Sequence, residues 1–160
     1  MLDDIDIKIL EILQESGRKP LSEIATKVRL SLPSVLERVK KLEEKGIIKK
    51  FTAILDAKKV GKDITAFIGV SIIHPQYIEN FETSIEKFED ILECHHVTGE
   101  HTLFLKVKTK DTSTLEQLIR SIRSIEGVTR TLTSVVLSTK KEDTKINLSE
   151  GLSKTRKSKE

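Results

Sequence analysis

The stretch from Ser31 to Lys50 carries hydroxyl, guanidinium and ammonium groups at spacings that suit recognition of a polyanion. At 100° per residue, Pro33, Ser34, Glu37, Lys40, Lys41 and Glu44 fall opposite Val35 and Val39 on one helix. Ser31 precedes that helix as its cap, and Ser34 stands in the first turn, the part of a reading helix that meets base edges. Arg38 and Lys41 suit phosphates or guanine edges, and Leu36 suits a thymine methyl. Glu37 either accepts from cytosine N4 or pairs with Lys41 four residues on. Lys49 and Lys50 follow as cations placed to hold backbone phosphates.

Other reactive groups do not assemble into a known chemistry. Cys94, His95, His96 and His101 are zinc-ligand types, but their spacing matches no finger pattern. On a strand Cys94 and His96 share a face while His95 points the other way. There is no glycine-rich phosphate loop, nucleophile elbow or acid pair in a defined cleft, so neither catalysis nor a cofactor is expected. His74, before Pro75, reads as a helix-entry residue.

Charge divides the chain. Residues 18–50 hold 10 basic against 4 acidic side chains, whereas residues 61–139 hold 8 against 11. A basic first half favours a polyanion and an acidic second half does not. Aromatics make up 4% of 160 residues, with no Trp, which argues against a stacking platform for single strands. No apolar run approaches the ~20 residues that cross a bilayer, and the acidic start Met1-Leu2-Asp3-Asp4 lacks a signal-peptide pattern. A single cysteine allows no internal disulfide, so a cytoplasmic protein with no membrane contact is expected. Scarce amides and abundant Lys, Glu and Ile resemble thermophile usage.

The elements that would position these groups follow from periodicity. Ile5, Ile9, Ile12 and Leu13 mark a first helix capped by Asp3, and Leu21, Ile24, Ala25 and Val28 mark a short second one. Arg29-Leu30-Ser31 forms a tight connection, and a third helix buries Val35, Val39 and Leu42 before Gly46 stops it. Residues 47–55 read as two short strands around the basic turn Lys49-Lys50. The sum over 1–55 is a winged helix-turn-helix, followed by a linker over 56–64. From 65 to 140 the order is strand, helix, strand, strand, helix, strand, a ferredoxin-like βαββαβ layer, so the fold class is α+β. One sheet face is covered by helices. The other carries Val70, Ile72, Val135 and Leu137, or the residues alternating with them, and an apolar second face calls for a dimer. Residues 141–160 read as a basic tail without stable structure, with Lys154, Arg156, Lys157 and Lys159 near its end.

The chain resembles the Lrp/AsnC, or feast/famine, transcription regulators of bacteria and archaea. The resemblance rests on residues 2–10 (LDDIDIKIL), 21–25 (LSEIA) and 35–48 (VLERVKKLEEKGII). In the second half it rests on Val97-Thr98-Gly99, residues 122–128 (IRSIEGV) and residues 131–139 (TLTSVVLST). It implies duplex DNA as partner, homodimers that also assemble into octamers, and a small-molecule effector, often an amino acid, held near the turn after the second strand of the C-terminal domain. By that resemblance Gly99, Glu100, Thr102, Thr133 and Ser134 are the effector positions. Many amino-acid responders carry an acid three residues after the glycine, and Thr102 stands there in this chain. A neutral hydroxyl cannot supply the charge-assisted contact an ammonium favours. The expected function is sequence-specific transcription regulation; a chromatin-like architectural protein of low specificity is the alternative, distinguished by its ratio of specific to non-specific affinity.

Overall fold

The computed structural model describes residues 2–148, which divide into two compact units. The first is built from the chain up to Ala53 together with the chain from Lys141; the second runs from Ile54 to Lys140.

The first unit contains α1 (Asp4–Glu15), α2 (Leu21–Val28) and α3 (Leu32–Glu44). Asp3 caps α1: its Oδ1 accepts from the N–H groups of Ile5 and Asp6 at 3.0 and 2.8 Å, and Asp6 Oδ2 accepts from the Asp3 N–H at 3.2 Å. Ser31 caps α3, and Pro33 sits in its first turn, where a missing N–H removes no helix bond. Ile9, Ile24 and Val35, each from a different helix, are fully buried in one core with Leu13, Val28, Val39 and Leu42. The α2–α3 turn closes with the Leu30 N–H on Ala25 O at 3.0 Å and the Arg29 N–H on Thr26 O at 3.3 Å. Arg29 between them lies in the left-handed region at φ 56°, where a side chain is disfavoured by about 1 kcal/mol relative to glycine.

α3 is tied to the start of α1 by one side chain. The Arg38 guanidinium Nη1 donates to Asp3 Oδ2 at 2.7 Å and to Asp6 Oδ1 at 2.6 Å. These are the same two carboxylates that cap α1, so one cluster ends the first helix and orients the third.

Two expectations are corrected here. Residues 47–55 form no strands. The Ile47 and Ile48 N–H groups both turn back onto Leu42 O, and Phe51 runs beside Gly17 in extended chain. A two-residue hairpin turn requires residues that adopt positive φ, and Lys49-Lys50 supplies neither Gly nor Asn. The segment after 140 is also not featureless throughout. The Gln14 side-chain amide brackets Ile146, accepting from its N–H at 2.7 Å and donating to its carbonyl at 3.1 Å. Lys145 pairs with Glu15 at 3.0 Å, and Leu148 packs on the three-helix core. Lys154, Arg156, Lys157 and Lys159 lie outside the described residues.

The second unit is a four-stranded antiparallel sheet with two helices. Its elements are β1 (Ile64–Ile72), α4 (Ile78–Ile85), β2 (Ile91–His96), β3 (Leu103–Thr109), α5 (Thr112–Arg123) and β4 (Val128–Val135). The strand order β2-β3-β1-β4 is the ferredoxin-like arrangement expected, with β1 and β3 central. A 3-10 turn over Pro75–Tyr77, capped by the His74 ring, leads into α4, so His74 does act as an entry residue. Asp111 caps α5. Ala66, Ile68 and Val70 of β1 and Leu103, Leu105 and Val107 of β3 are fully buried beneath Phe81, Ile85, Leu115, Leu118 and Ile122 of the helices. Val70 therefore belongs to the covered face. The open face is made by the alternating residues, with Phe67 opposite Lys106 and Ser134, and Gly69 opposite Phe104 and Leu132.

Asp3→Ala removes both the α1 cap and one end of the Arg38 tie, and should destabilise the first unit by about 1 kcal/mol at neutral pH. The Asp3 carboxyl is held below the ordinary aspartate range, first by the Asp6 N–H and then by the Arg38 guanidinium. A depressed carboxylate stabilises the fold above its unfolded pKa and loses that contribution as pH falls through its folded value. Urea melts should show the gap between wild type and Asp3→Ala closing below about pH 3.9.

Candidate functional site

The face of α3 opposite its buried residues is a mixture of free and committed groups. Leu32 is 42% and Leu36 50% exposed, with Pro33 beside them, so the first two turns present an apolar ridge. Ser34 is half-buried, its hydroxyl 2.8 Å from that of Ser31, whose oxygen also accepts the Ser34 N–H at 3.3 Å. The expected serine pair is thus one hydrogen-bonded unit at the helix entrance. Glu37 takes the ion-pair alternative: Lys41 Nζ lies 2.6 Å from Glu37 Oε1, and that bond draws the Glu37 carboxyl below its usual range. Lys40 and Glu44 form a looser pair at 3.7 Å. Both pairs are solvent-exposed, hence weak, and a phosphate can displace either carboxylate.

Arg38 differs from the other cations. It is turned toward Asp3 and Asp6, and their hydrogen bonds, Asp3 foremost, raise its pKa further. The guanidinium is engaged by two carboxylates and ties α3 to α1. Lys49 and Lys50 are exposed on the extended chain after α3 and make no hydrogen bond or ion pair with any described residue. Lys27, Arg29 and Lys45, which spacing had not singled out, are exposed on the same unit. The signal for Arg29 was local: it occupies a turn position where glycine would be expected.

The expected effector positions do not all converge. Gly99 (φ 118°) turns the chain between β2 and β3, and the Glu100 carboxylate beside it holds the Arg130 guanidinium of β4 at 2.9 Å. The Thr102 hydroxyl accepts from the Ile72 N–H at 3.1 Å, and its backbone bonds both Val70 O and the Val97 N–H, so the threonine extends the sheet. Ser134 lies opposite Phe67 on the open face. Thr133 lies opposite Ile68 on the helix-covered face and is separated from the others by the strand's alternation. Arg130 was missed by sequence reasoning, although counting by twos from Ser134 along β4 places it on the same face.

The open face also holds a close packing of rings and glycine. The His101 ring lies over Gly69, where a Cβ would come within 2.4 Å of it, and its Nδ1 is 3.5 Å from the Ser71 hydroxyl. Phe67 and Phe104 stack at 5.8 Å between centroids. At the sheet edge, Glu93 receives His95 Nε2 at 3.2 Å and Lys106 at 3.3 Å, contacts that lower its pKa, His95 first. Cys94 pairs with Leu105 and His96 with Leu103, so these two share a face while His95 takes the other, as alternation requires. Among the described residues no three metal-ligating side chains stand together. Among the described residues no helix is long and apolar enough to cross a membrane.

Comparison with known proteins agrees with this geometry. Residues 65–146 match the Lrp/AsnC ligand-binding domain, and residues 2–49 match a winged helix-turn-helix DNA-binding domain. The chain is 39% identical over 146 residues to the HTH-type transcriptional regulator FL11 of Pyrococcus furiosus, covering 91% of this chain and 96% of that one. It is 37% identical over 153 residues to the transcriptional regulator AzlB of Bacillus subtilis, covering 94% and 98%. Among solved structures it superposes on a transcriptional regulator of Neisseria meningitidis in complex with L-Met, with a TM-score of 0.88 and 34% identity over 93% of this chain and 98% of that one. A feast or famine regulatory protein from M. tuberculosis, complexed with L-methionine, gives a TM-score of 0.85 and 32% identity over 91% and 99%. With both halves matched in order and across nearly their full length, the chain belongs to the Lrp/AsnC family of transcriptional regulators.

Proposed function

We propose that the protein acts as a homodimer on duplex DNA in the cytoplasm, setting two α3 helices into major grooves about one helical turn apart. Its regulation is by a small amino acid bound at the open sheet face. The observation that carries the reading is the exposed start of α3, with Pro33, the Ser31–Ser34 pair and Leu36, on a helix fixed to α1 by Arg38. Leu36 and the serine hydroxyls contribute to base readout, while Lys40, Lys41, Lys49 and Lys50 hold the backbone on either side. The partly exposed Phe104 and Leu132 on the open face, at 37% and 47%, support a second copy of the chain as its cover, and octamers follow from further assembly of such dimers.

The effector reading rests on charge complementarity. With Thr102 engaged by the Ile72 N–H, the Glu100–Arg130 pair supplies one group for an ammonium and one for a carboxylate. The methionine complexes of the two related structures support the same ligand class.

Selection of genomic duplex fragments by the purified protein, titrated against salt, should recover a short palindromic motif. Uniform recovery with steep salt dependence would instead make the protein architectural. Changing Lys49 and Lys50 together to Ala should weaken binding on all sequences alike and lower the slope of log affinity against log salt by about two. An unchanged slope would remove both lysines from the interface. In calorimetric titration with L-methionine, Arg130→Ala should weaken binding at least about tenfold, the loss of one charge-assisted contact. Equal affinity in wild type and variant would place the effector away from this pair.

A further inference from the structure

The α2–α3 turn is built for glycine and holds an arginine. Leu30 and Arg29 donate back to Ala25 and Thr26 in the paired pattern that closes a helix through one left-handed residue. That residue is Arg29, at φ 56° and ψ 44°. Elsewhere among the described residues every positive φ belongs to a glycine: Gly46, Gly61, Gly99 and Gly127. The Arg29 side chain is exposed, and it makes no hydrogen bond or ion pair with any described residue. Leu30, not Arg29, supplies the apolar contact that anchors the turn in the core. A left-handed residue whose side chain makes no compensating contact is a reason to look for a partner outside the molecule.

The position indicates what that partner is. Arg29 lies two residues before Ser31, the cap of α3, so its Cα is at most about 7 Å from the point where the helix begins. A helix start entering a major groove is flanked at that distance by sugar-phosphate backbone. A guanidinium, planar and permanently charged, binds a phosphate through two parallel N–H donors. Of the arginines beside it, Arg38 on α3 is already engaged by Asp3 and Asp6. We propose that Arg29 is a DNA-positioning residue that anchors a backbone phosphate beside the entry of α3, retained in a left-handed turn at the expense of the protein's own stability. This assignment rests on the DNA-binding reading and adds to it a residue outside the reading helix.

Arg29→Gly separates the two sides of that exchange. The variant should melt a few degrees higher than wild type, because the turn relaxes. On a duplex of mixed sequence between about 50 and 200 mM salt, it should bind several-fold more weakly and with a salt slope reduced by about one. Arg29→Lys should keep the wild-type slope, because its charge remains. Higher stability with unchanged affinity and slope would overturn the proposal while leaving DNA binding intact. A variant that melts lower than wild type would overturn it too, by giving the side chain a role in the fold. Wild-type protein that binds no duplex in this range would overturn the DNA-binding reading itself and the proposal with it.

Discussion

The arrangement of the DNA-binding unit depends on one cluster of three side chains. Asp3 and Asp6 would form a capping box on α1 in any context, because their carboxylates satisfy N–H groups that the first helical turn leaves open. Arg38 uses the remaining oxygen of each. An arginine on α3 thereby bridges two carboxylates that would otherwise repel one another, and a rotation of α3 about its axis would pull against both bonds. The apolar contacts of Val35, Val39 and Leu42 hold the helix in place, but such packing is tolerant of small rotations. A charged nitrogen shared between two carboxylates is less so. The direction in which Leu36 and the serine pair face is thus set at the opposite end of the unit, at the beginning of the chain.

In the second unit the governing constraint is parity. A strand has a period of two, so a single choice of register assigns every residue of β1 to one face. Ala66, Ile68 and Val70 go under the helices, and Phe67, Gly69 and Ser71 form the open face. Small Gly69 then makes room for the His101 ring, while the same alternation puts Arg130 within reach of Glu100 and keeps Thr133 away from it. The composition of the open face follows from packing on the other side of the sheet.

Much of this was legible in the residues. Helix caps at Asp3 and Ser31, the stop at Gly46 and the strand-helix order of the second unit are local signals, and local chemistry decided them. The register of β1 was not legible, because Val70 and Ile72 are as apolar as their alternates and only the helices decide which set they cover. The hairpin expected at Lys49-Lys50 failed for the opposite reason: the strand propensity of its flanks was clear, but the turn lacked residues that turn. Arg38 looked like a base-reading cation because its partners lie more than thirty residues earlier in the chain, a pairing that spacing on one helix cannot reveal. Thr102, Glu100 and Arg130 likewise acquire their roles from strands brought together across the sheet.

The return of the chain to α1 gives the molecule a history during synthesis. Gln14 emerges from the ribosome early and waits for Ile146, 132 residues later. The three helices can pack meanwhile, since their contacts are local and close quickly. The amide bracket and the seating of Leu148 come only after the whole sheet unit has been translated. Closing so long a loop adds little to the equilibrium cost, because that cost grows only logarithmically. Its effect is temporal: the packing around Gln14 is completed only once the chain has been translated as far as Leu148.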